Sequence, residues 1–562
     1  MVSESRDMGR EFPTSASAAL SNNSPFGNNT CNLRLNELSL QKRCDMEKAV
    51  RYPIGEQSFE ALREGGFLYV DKTPFIDKIV NGSQYYFLGR PRRFGKSLFL
   101  STMKCFFEGK RHLFKDLYID STDWDWEPYP VLYLDLNPQQ YTDDETLDIH
   151  IERFLKKEEE KWDIAPNVPD HSSRFADLIE TIYKKTGKGV VILVDEYDKP
   201  LVNNIHNRQR FEIYRDKLAA LYSNFKSSAD YIRLVFLTGV SRFGKLSVFS
   251  GLNNIRDISF LPEYSAICGI TEEELISNFR IGINELATCN GNTFDRELAT
   301  LKRWYDGYHF SELAPDIYNP FSLLTVMANK YYDNYWIASG TPRLLVDQLK
   351  RTHTDLSKLL HIRCSRNSLL GLDIDNITPE SLFYQTGYLT IKEFDSRRRI
   401  YRLGLPNLEV KQGFFEYLLP YYSNTHGEDV RVFVFDFLDE MEEGRVDDFM
   451  KRLQSMFAGI SYEMKFDEER NVQNAILILF SLIGMNVDTE VRTSDGRIDI
   501  LVRTDKYVYV MELKYDSTAE EALAQIERKE YALPWAIDRR EVIEIGINYS
   551  SEKRRIDDWK RR

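Results

Sequence analysis

Several features that mark other classes of protein are missing from this chain of 562 residues. It contains six cysteines but no Cys-x-x-Cys pair, which excludes the commonest zinc-site spacing and favours reduced thiols in a cytosol. It has no run of about 18 apolar residues that would predict a membrane-spanning helix. Its N-terminus lacks the apolar segment of a signal peptide. The sequence therefore predicts a cytoplasmic protein with no membrane partner.

The chain also lacks an excess of positive charge: 87 Asp and Glu outnumber 74 Lys and Arg, which gives a formal net charge of -13. This balance argues against a protein that coats nucleic acid non-specifically, although it leaves room for a local basic groove. Hydrophobic residues make up 42% of the chain and aromatic residues 13%, which is enough for packed cores. At this length we expect about three domains.

The most informative segment is residues 90–97, which reads Arg-Pro-Arg-Arg-Phe-Gly-Lys-Ser. The apolar residues 85–88 before it predict a buried strand, and residues 98–104 after it predict the first turns of a helix. A strand, a loop, Gly-Lys-Ser and a helix form the layout of a phosphate-binding P-loop. Arg90 stands where the general pattern has a glycine, so a chance Gly-Lys-Ser in a basic turn is the alternative.

The residue types in this loop suit the binding of a phosphate. Gly95 lacks a Cβ, so the backbone can approach a phosphate closely, and the free N–H groups at the helix start attract the anion. We expect Lys96 to reach the β- and γ-phosphates and Ser97 to coordinate Mg²⁺. Together with Arg93 and Phe94, these residues are the predicted nucleotide-binding set of the loop.

A second half of the site is predicted at residues 190–196. The run Val-Val-Ile-Leu-Val predicts a strand buried on both faces of a parallel sheet, and it ends in Asp195 and Glu196. We expect Asp195 to bind Mg²⁺ and Glu196 to polarise the attacking water. The alternative is a core strand whose exposed end carries acids by chance.

A third predicted strand, residues 231–237, ends at the polar residue Thr238. One interpretation is that Thr238 senses the γ-phosphate of a nucleotide and that Arg242 faces it. The other is that Thr238 only caps the strand and that Arg242 lies in solvent. The sequence favours neither, and Thr238 is kept as a candidate nucleotide contact.

These motifs together resemble the AAA-ATPase-like family of bacterial proteins. The resemblance is carried by the segments 69–73, 90–97, 195–200, 304–308 and 318–322. It covers residues 48–260 well, and the Arg-Pro-Arg-Arg-Phe-Gly-Lys-Ser form of the loop is itself similar to that of the family. The resemblance implies ATP and Mg²⁺ as cofactors. It also implies that residues 67–73 cover the adenine; the alternative is that they form a plain packing strand.

A second constellation lies near the C-terminus, where residues 496–502 and 507–514 predict neighbouring strands. Asp499 lies on the first strand; Glu512 and Lys514 lie two apart on the second and so share one face of the sheet. Asp499 and Glu512 can hold Mg²⁺ near a phosphodiester, while Lys514 can orient a water or stabilise charge. This arrangement predicts a catalytic site for cutting DNA or RNA.

The same residues resemble the PD-(D/E)XK nuclease superfamily, with Asp499 as its aspartate and residues 512–514 as its E-x-K. Members of the AAA-ATPase-like family commonly carry such a C-terminal domain. The superfamily often uses a further acid on its first helix. Here Glu468 and Glu469 lie just before the predicted helix, and the helix itself has Asn471, Gln473 and Asn474. One metal ligand is therefore in doubt, which allows a weakened or inactive nuclease.

Two local signals place further elements. Thr271 and Glu274 have the spacing of a capping box and predict the start of a helix. Residues 384–391 and 401–407 predict the two strands of a hairpin. A helix followed by such a hairpin is one form of a winged-helix module.

The predicted fold class is α/β: a P-loop NTPase parallel sheet with a helical lid, a mixed α/β middle region and a C-terminal restriction-endonuclease-like α/β domain. The expected boundaries are a disordered extension at 1–46, the ATPase-like domain at 47–261, the lid at 262–345, a helical linker region or winged helix at 346–460, and the nuclease-like domain at 461–562. The extension is rich in Ser and Asn. Either Met46 is the true start of the chain, or the extension is a regulatory tail.

These features predict an ATP-binding P-loop ATPase coupled to a metal-dependent nuclease, in DNA processing or in defence against foreign DNA. The alternative is a nucleotide-dependent switch or scaffold whose nuclease fold only binds nucleic acid or protein. Kinase-like phosphoryl transfer is disfavoured, because no second substrate site is visible. A homo-oligomer is compatible with the sequence, but no arginine acting in trans can be picked out from it.

Overall fold

The structure is a computed structural model. It describes residues 50–166, 168–242, 254–339, 343–352, 354–359, 362–370, 378–423, 430–457, 468–485, 488–494 and 497–562. The segment Arg51–Arg562 forms one compact unit. The expected extension at 1–46, with Met46, lies outside the described residues.

The first region is built on five strands interspersed with helices. Its elements are α1 (Phe59–Glu64), α2 (Thr73–Val80), β1 (Tyr85–Gly89), α3 (Lys96–Phe107), β2 (Val131–Asp135), α4 (Thr146–Trp162), α5 (His171–Thr186), β3 (Val190–Asp195), α6 (Lys199–Asn203), α7 (Arg208–Ser227), β4 (Ile232–Gly239) and β5 (Arg256–Asp257). All neighbouring strands are parallel, in the order β2-β3-β4-β1-β5. The loops after β1, β3 and β4 therefore leave the same edge of the sheet, where ligands of open α/β sheets bind. This confirms the predicted P-loop NTPase sheet.

The strands of this sheet are apolar on both faces because both faces are covered. On β1, Tyr86 and Leu88 belong to one buried cluster, while Tyr85 and Phe87 belong to a second cluster. Successive strand residues point to opposite faces, so an uninterrupted apolar run is what a sheet between two helical layers requires.

Helices dominate the next part of the described chain. They are α8 (Glu272–Asn290), α9 (Phe294–Tyr305), α10 (Pro320–Asn329) and α11 (Tyr335–Ser339). The predicted capping box is confirmed, because the Thr271 side chain accepts from the Glu274 N–H and the Glu274 carboxylate accepts from the Thr271 N–H. Glu274 also forms an ion pair with Lys72, at 2.6 Å, which ties α8 to the segment before α2.

The middle region mixes helices with a small sheet. Its elements are α12 (Arg343–Thr352), α13 (Leu356–Leu359), β6 (Arg363–Ser365), α14 (Arg366–Leu370), α15 (Pro379–Thr386), β7 (Thr390–Asp395), β8 (Ile400–Gly404), α16 (Leu408–Tyr422), α17 (Val430–Glu442) and α18 (Val446–Phe457). The predicted hairpin exists as the antiparallel pair β7 and β8, with β6 on the outer side of β8. Its first strand begins later than predicted, because residues 384–386 complete α15, which ends at Gly387 with φ of 92°.

The C-terminal region has the order α–β–β–β–α–β–β. Its elements are α19 (Glu468–Ile483), β9 (Asp488–Ser494), β10 (Arg497–Arg503), β11 (Tyr507–Tyr515), α20 (Ala519–Arg528), β12 (Glu541–Ser550) and β13 (Arg555–Arg561). The sheet order is β13-β12-β11-β10-β9, with β11 and β12 parallel and the other pairs antiparallel. Helix α20 makes the crossover between the parallel strands. This mixed sheet confirms the predicted nuclease-like α/β domain.

A single cluster of buried apolar side chains runs through several of these regions. It includes Phe94 in the P-loop, Trp336 on α11, Leu418 on α16 and Ile483 on α19. The nuclease-like region is therefore packed on the rest of the compact unit. Among the described residues, no helix combines the length and apolar character that crossing a membrane requires.

Candidate functional site

The P-loop turns between β1 and α3. Gly95 precedes the helix with φ of 95°, and Arg93 also has a positive φ of 67°. Lys96 is almost completely buried: its Nζ donates to the carbonyl oxygens of Arg90 at 3.1 Å and Pro91 at 3.2 Å. The loop therefore folds around its own lysine, as expected of a turn shaped to surround a phosphate.

Arg90, at the position of the missing glycine, is buried away from solvent. Its guanidinium donates to the carbonyl oxygens of Ser259 at 2.8 Å and Tyr264 at 3.1 Å, and it stacks over the Phe310 ring at 4.2 Å. Burial lowers the pKa of Arg90 to about 10. The side chain thus fixes the loop to the segment after β5, which explains how an arginine is accommodated where the general P-loop pattern has glycine.

Asp195, the last residue of β3, lies behind Ser97. The Asp195 carboxylate accepts a hydrogen bond from Ser97, and another from the Thr238 hydroxyl at 2.6 Å. Burial is the main cause that raises the pKa of Asp195 above its usual range. The structure therefore brings together three predicted residues from β3, β4 and the start of α3.

The turn after Asp195 is held in an unusual backbone conformation. Glu196 has φ of 52°, and the next N–H, that of Tyr197, donates to the Thr238 carbonyl at 2.9 Å. The buried Asp198 carboxylate accepts from the Ser241 N–H at 2.6 Å, and burial raises its pKa to about 6. Such strain persists only where the surroundings fix it. The result is that the Glu196 carboxylate lies 3.2 Å from Lys96 Nζ.

A cavity of about 610 Å³ opens beside this arrangement. Predicted residues that line it are Arg93, Gly95, Lys96, Ser97 and Glu196. Its volume lies within the range of small-molecule sites. This lining fits a nucleotide polyphosphate with Mg²⁺, because it offers cationic side chains, loop backbone and a serine beside a buried carboxylate.

A smaller, mainly apolar cavity of about 80 Å³ lies next to the first and shares Gly95 and Leu98 with it. Residues 68–70, from the segment expected to cover an adenine, line this second cavity. Phe94 lines it too, and its ring packs edge-on against Tyr308 at 4.8 Å. Phe94 therefore faces the apolar side of the loop rather than the larger cavity.

The C-terminal candidates lie on two paired strands. Asp499 on β10 is directly opposite Glu512 on β11, and Lys514 is opposite Arg497. Directly opposed residues of antiparallel strands point to the same face, so Asp499 and Glu512 lie side by side, with Lys514 two residues along the same face. Glu512 is fully buried, and its carboxylate accepts from Gln525 Nε2 at 2.5 Å.

Helix α20 approaches this face closely because β12 has a glycine beside Glu512. Gly546 is the β12 neighbour of Glu512. A Cβ at that position would lie 2.2 Å from the Ala519 carbonyl oxygen and 2.7 Å from the Leu523 nitrogen, both on α20. The glycine therefore lets α20 lie close enough for Gln525 to reach Glu512.

The amide residue Asn474 on α19 has a structural role. Its Oδ1 accepts from the Leu356 N–H at 3.0 Å, and its Nδ2 donates to the Thr354 carbonyl at 3.2 Å. It therefore fixes α19 to the middle region. Across the described ranges, no three His, Cys, Asp or Glu side chains converge as a ready-made metal cage. Each candidate Mg²⁺ site thus offers few protein ligands, which suits an ion that keeps several waters and phosphate oxygens.

Comparison with known proteins agrees with this geometry. The model of a family described as predicted AAA-ATPase matches residues 53–249, and that of the PD-(D/E)XK nuclease superfamily matches residues 467–559. The "uncharacterized protein in vnfD 5'region" of Azotobacter chroococcum mcd 1 is 34% identical over 526 residues, which cover 90% of this chain and 98% of that protein. The chain belongs to the AAA-ATPase-like family. Its C-terminal domain is of the PD-(D/E)XK nuclease superfamily.

One solved structure with a weaker similarity is that of the Aeropyrum pernix ORC2 protein in ADPNP–ADP complexes. It is 12% identical, and the match covers 62% of this chain and 88% of that one with a TM-score of 0.23.

Arg242 in this AAA-ATPase-like protein matches neither of its two interpretations. The Arg242 side chain is 10% exposed, and its guanidinium pairs with Asp257 at 2.9 Å. The backbone N–H of Arg242 donates to Gln385 Oε1 at 2.7 Å. It therefore neither lies in solvent nor lines the larger cavity, and it links the end of β4 to β5 and α15 instead.

Sequence reasoning missed several residues around the larger cavity. Lys199 and Asn137 line it together, and Lys199 Nζ donates to the Asn137 carbonyl at 2.7 Å and to its Oδ1 at 2.6 Å. Trp336 Nε1 donates to the Arg92 carbonyl of the P-loop at 3.0 Å. The position of Lys199 within the family-like segment 195–200 could have identified it as a site residue. Asn137 and Trp336 are brought to the site by tertiary packing.

Proposed function

We propose that this protein is an ATPase whose nucleotide state controls a C-terminal metal-dependent nuclease. The observation that carries the nucleotide part is the meeting of Ser97, Asp195 and Thr238 behind a cavity lined by Lys96 and Glu196. Nucleoside-triphosphate hydrolysis uses these groups: a P-loop lysine, a serine next to a buried aspartate, and a neighbouring glutamate.

In this proposal Lys96 binds the β- and γ-phosphates and Glu196 orients the attacking water. A bound Mg²⁺, held by Ser97 and Asp195, would neutralise charge that develops on the phosphates. Phosphate would compete with Glu196 for the ammonium of Lys96, since the two side chains form an ion pair at 3.2 Å. Glu196 is thereby released to accept a hydrogen bond from water.

The nuclease part rests on Asp499 and Glu512, which are directly opposed on β10 and β11. They would hold a divalent cation, whose chemistry is to polarise a phosphodiester and to make bound water more acidic. Lys514 would stabilise charge on the phosphate or orient the water. Gln525 fixes the Glu512 carboxylate through its hydrogen bond.

A contact route supports coupling between the two sites. Trp336 donates from Nε1 to the P-loop at Arg92, and its backbone N–H donates to the buried Glu409 carboxylate at 2.7 Å. Glu409 lies at the start of α16, which packs against α19 of the nuclease domain. We propose that rearrangement of the P-loop on nucleotide binding is passed along this route.

Nucleic acid is the proposed substrate, in DNA processing or in defence against foreign DNA. The tip of the β7–β8 hairpin supports this, because residues 397–399 are three consecutive exposed arginines. Arg398 pairs with Asp395 at 3.0 Å, while its neighbours extend the positive charge beyond that pair. Exposed arginines of this kind contact phosphate backbones irrespective of base sequence.

A second candidate function is a nucleotide-dependent scaffold whose nuclease fold binds without cutting. The observation in its favour is Asn474, an amide bonded to the middle region on a helix where the superfamily often has an acid. The helix begins at Glu468, three residues earlier than predicted, so Glu468 and Glu469 lie in its first turn instead of before it. Gln473 Nε2 donates to the Glu469 carboxylate at 3.1 Å. The paired strands β10 and β11 themselves offer two carboxylates.

Two assays on the full chain test the proposal. Phosphate release from ATP and cleavage of DNA or RNA are measured with Mg²⁺ or Mn²⁺ for wild type, Lys96→Ala and Asp499→Ala. We expect Lys96→Ala to abolish ATP hydrolysis and Asp499→Ala to abolish cleavage while ATP hydrolysis persists. Wild type that binds nucleic acid but cuts none supports the scaffold function instead.

A further inference from the structure

The larger cavity has two chemically different parts. One part is apolar and includes Pro320 and Leu324, which also line the small apolar cavity. The other part is polar and internally bonded: Lys199 donates to Asn137, and Asn203 donates to the Gln140 carbonyl at 3.3 Å. If a base occupies the apolar part, the phosphate chain runs past Lys96 toward the polar part.

Lys199 is a cation that no carboxylate of the described residues contacts directly, although Glu196 and Asp135 lie within electrostatic reach. Within the part of the chain that the structure describes, it forms no ion pair, and its ammonium donates only to the two oxygens of Asn137. Lys96, in contrast, is paired with Glu196. Burial, with the nearby Arg92 as the second cause, lowers the pKa of Lys199. The ammonium is thus partly desolvated and held by neutral oxygens, which an anion can replace.

The charges around the cavity favour such an anion. Two carboxylates, Glu56 and Glu196, line it, against four cations: Arg92, Arg93, Lys96 and Lys199. Positive potential in a cleft with low-dielectric walls concentrates a polyanion. Glu196 also lies within electrostatic reach of Lys199. Lys199 therefore lies close enough to the proposed water-activating group to interact with its charge.

We propose that Lys199 binds the terminal phosphate of a nucleoside triphosphate and that Asn137 holds the ammonium when this phosphate is missing. This inference rests on the proposed nucleotide site and adds to it the group that distinguishes a triphosphate from a diphosphate. Lys96 contacts the β-phosphate, which both nucleotides carry, as well as the γ-phosphate of the triphosphate. Lys199 contacts the one that only the triphosphate carries, and its movement frees Asn137 beyond the end of β2.

Equilibrium binding of two ligands tests this assignment. The affinities of the full chain for ADP and for the β,γ-imido analogue of ATP are measured by calorimetry with Mg²⁺ present. The variants are Lys199→Met, which keeps the length of the side chain, and Lys199→Arg, which keeps the charge. Lys226→Met, on the exposed side of α7, is the matched control. Thermal unfolding of each variant checks that it is folded.

We expect Lys199→Met to weaken binding of the triphosphate analogue on the order of ten- to a hundredfold, the size of a lost hydrogen bond to a charged group. ADP affinity should stay within about twofold by the same argument, Lys199→Arg should restore most of the loss, and Lys226→Met should behave as wild type. Equal weakening of both nucleotides, or no change in either, overturns the assignment while leaving the nucleotide site in place. Wild type that binds neither nucleotide overturns the nucleotide site itself, and the assignment with it.

Discussion

The ammonium nitrogen of Lys96 lies 3.2 Å from a carboxylate oxygen of Glu196, and both side chains are largely buried. This ion pair joins the P-loop to the turn after β3. It also pairs two groups that a nucleotide would separate, because phosphate oxygens would compete with the carboxylate for the ammonium. The proposed hydrolysis therefore begins from a site whose two principal charges neutralise each other.

The first prediction concerns the glutamate of that pair. Glu196→Gln should retain nucleotide binding, because Lys96 and Ser97 remain, and should lose hydrolysis on the order of 10²- to 10⁴-fold, the usual contribution of a positioned base. Phosphate release under single-turnover conditions measures the effect. Glu212→Gln, which removes an exposed carboxylate paired with Arg208, serves as the control. Hydrolysis that stays within a few-fold of wild type would assign the base to another group.

The second prediction concerns pH and the buried carboxyl of Glu409. Burial raises its pKa from the ordinary 4.5 to about 8. Between pH 4.5 and about 8 the folded protein keeps a proton on Glu409 that the unfolded chain has released. The stabilising contribution that is present below pH 4.5 is therefore lost as the pH rises toward 8. Glu409→Gln mimics the neutral form and should remove this dependence.

Chemical denaturation of wild type and Glu409→Gln at pH 5 and pH 8 measures this linkage. Relative to the variant, wild type should lose up to about 4 kcal/mol over the window, the size of the shift from 4.5 to about 8. Parallel pH dependence of the two proteins would show that Glu409 does not titrate in this range.

The third prediction concerns the close approach of α20 to β12. Gly546→Ala places a methyl group 2.2 Å from the Ala519 carbonyl oxygen unless the helix moves. We expect a loss of about 1–3 kcal/mol in stability, as for other overpacked sites, and faster hydrogen exchange in α20. Gly404→Ala is the control, because its nearest contact is a Lys392 side-chain carbon at 3.1 Å. An unchanged exchange rate in α20 would contradict the packing described here.

The fourth prediction concerns the indole of Trp336. Trp336→Phe keeps an aromatic ring but removes the hydrogen bond to the Arg92 carbonyl. We expect ATP hydrolysis and nucleotide-free cleavage to persist within a few-fold, while the effect of nucleotide on cleavage disappears. Trp304→Phe is the control; the Trp304 ring lies tilted against Tyr332, with 5.5 Å between the ring centroids. Retained nucleotide control in Trp336→Phe would exclude this contact as the coupling route.

Much of the architecture could be predicted because it is encoded locally. The apolar run before Asp195 and the Gly-Lys-Ser after β1 predict a strand and a loop without reference to distant residues. The capping box of Thr271 and Glu274 spans four residues. The facing of Asp499 and Glu512 follows from strand alternation and a short connection, and the register of β10 and β11 confirms the pairing of these strands.

The remaining features depend on contacts between distant segments. The sequence marked Arg90 as a departure from the P-loop pattern, but its role depends on carbonyls 169 and 174 residues away. Trp336 reaches the P-loop across 244 residues. The predicted start of β7 is wrong because Tyr384 and Thr386 are residue types that favour strands, whereas here they complete α15. Periodicity alone does not distinguish a strand from a helix here.

The coupling of the two sites is the central claim, and the dependence of cleavage on nucleotide tests it most directly. Cleavage of DNA or RNA by wild type, Lys96→Ala and Glu512→Gln is measured with Mg²⁺, with and without ATP. The account predicts that ATP changes the cleavage rate of wild type, that Lys96→Ala cleaves at one rate in both conditions, and that Glu512→Gln hydrolyses ATP without cutting. Cleavage by wild type that is the same with and without ATP would contradict it.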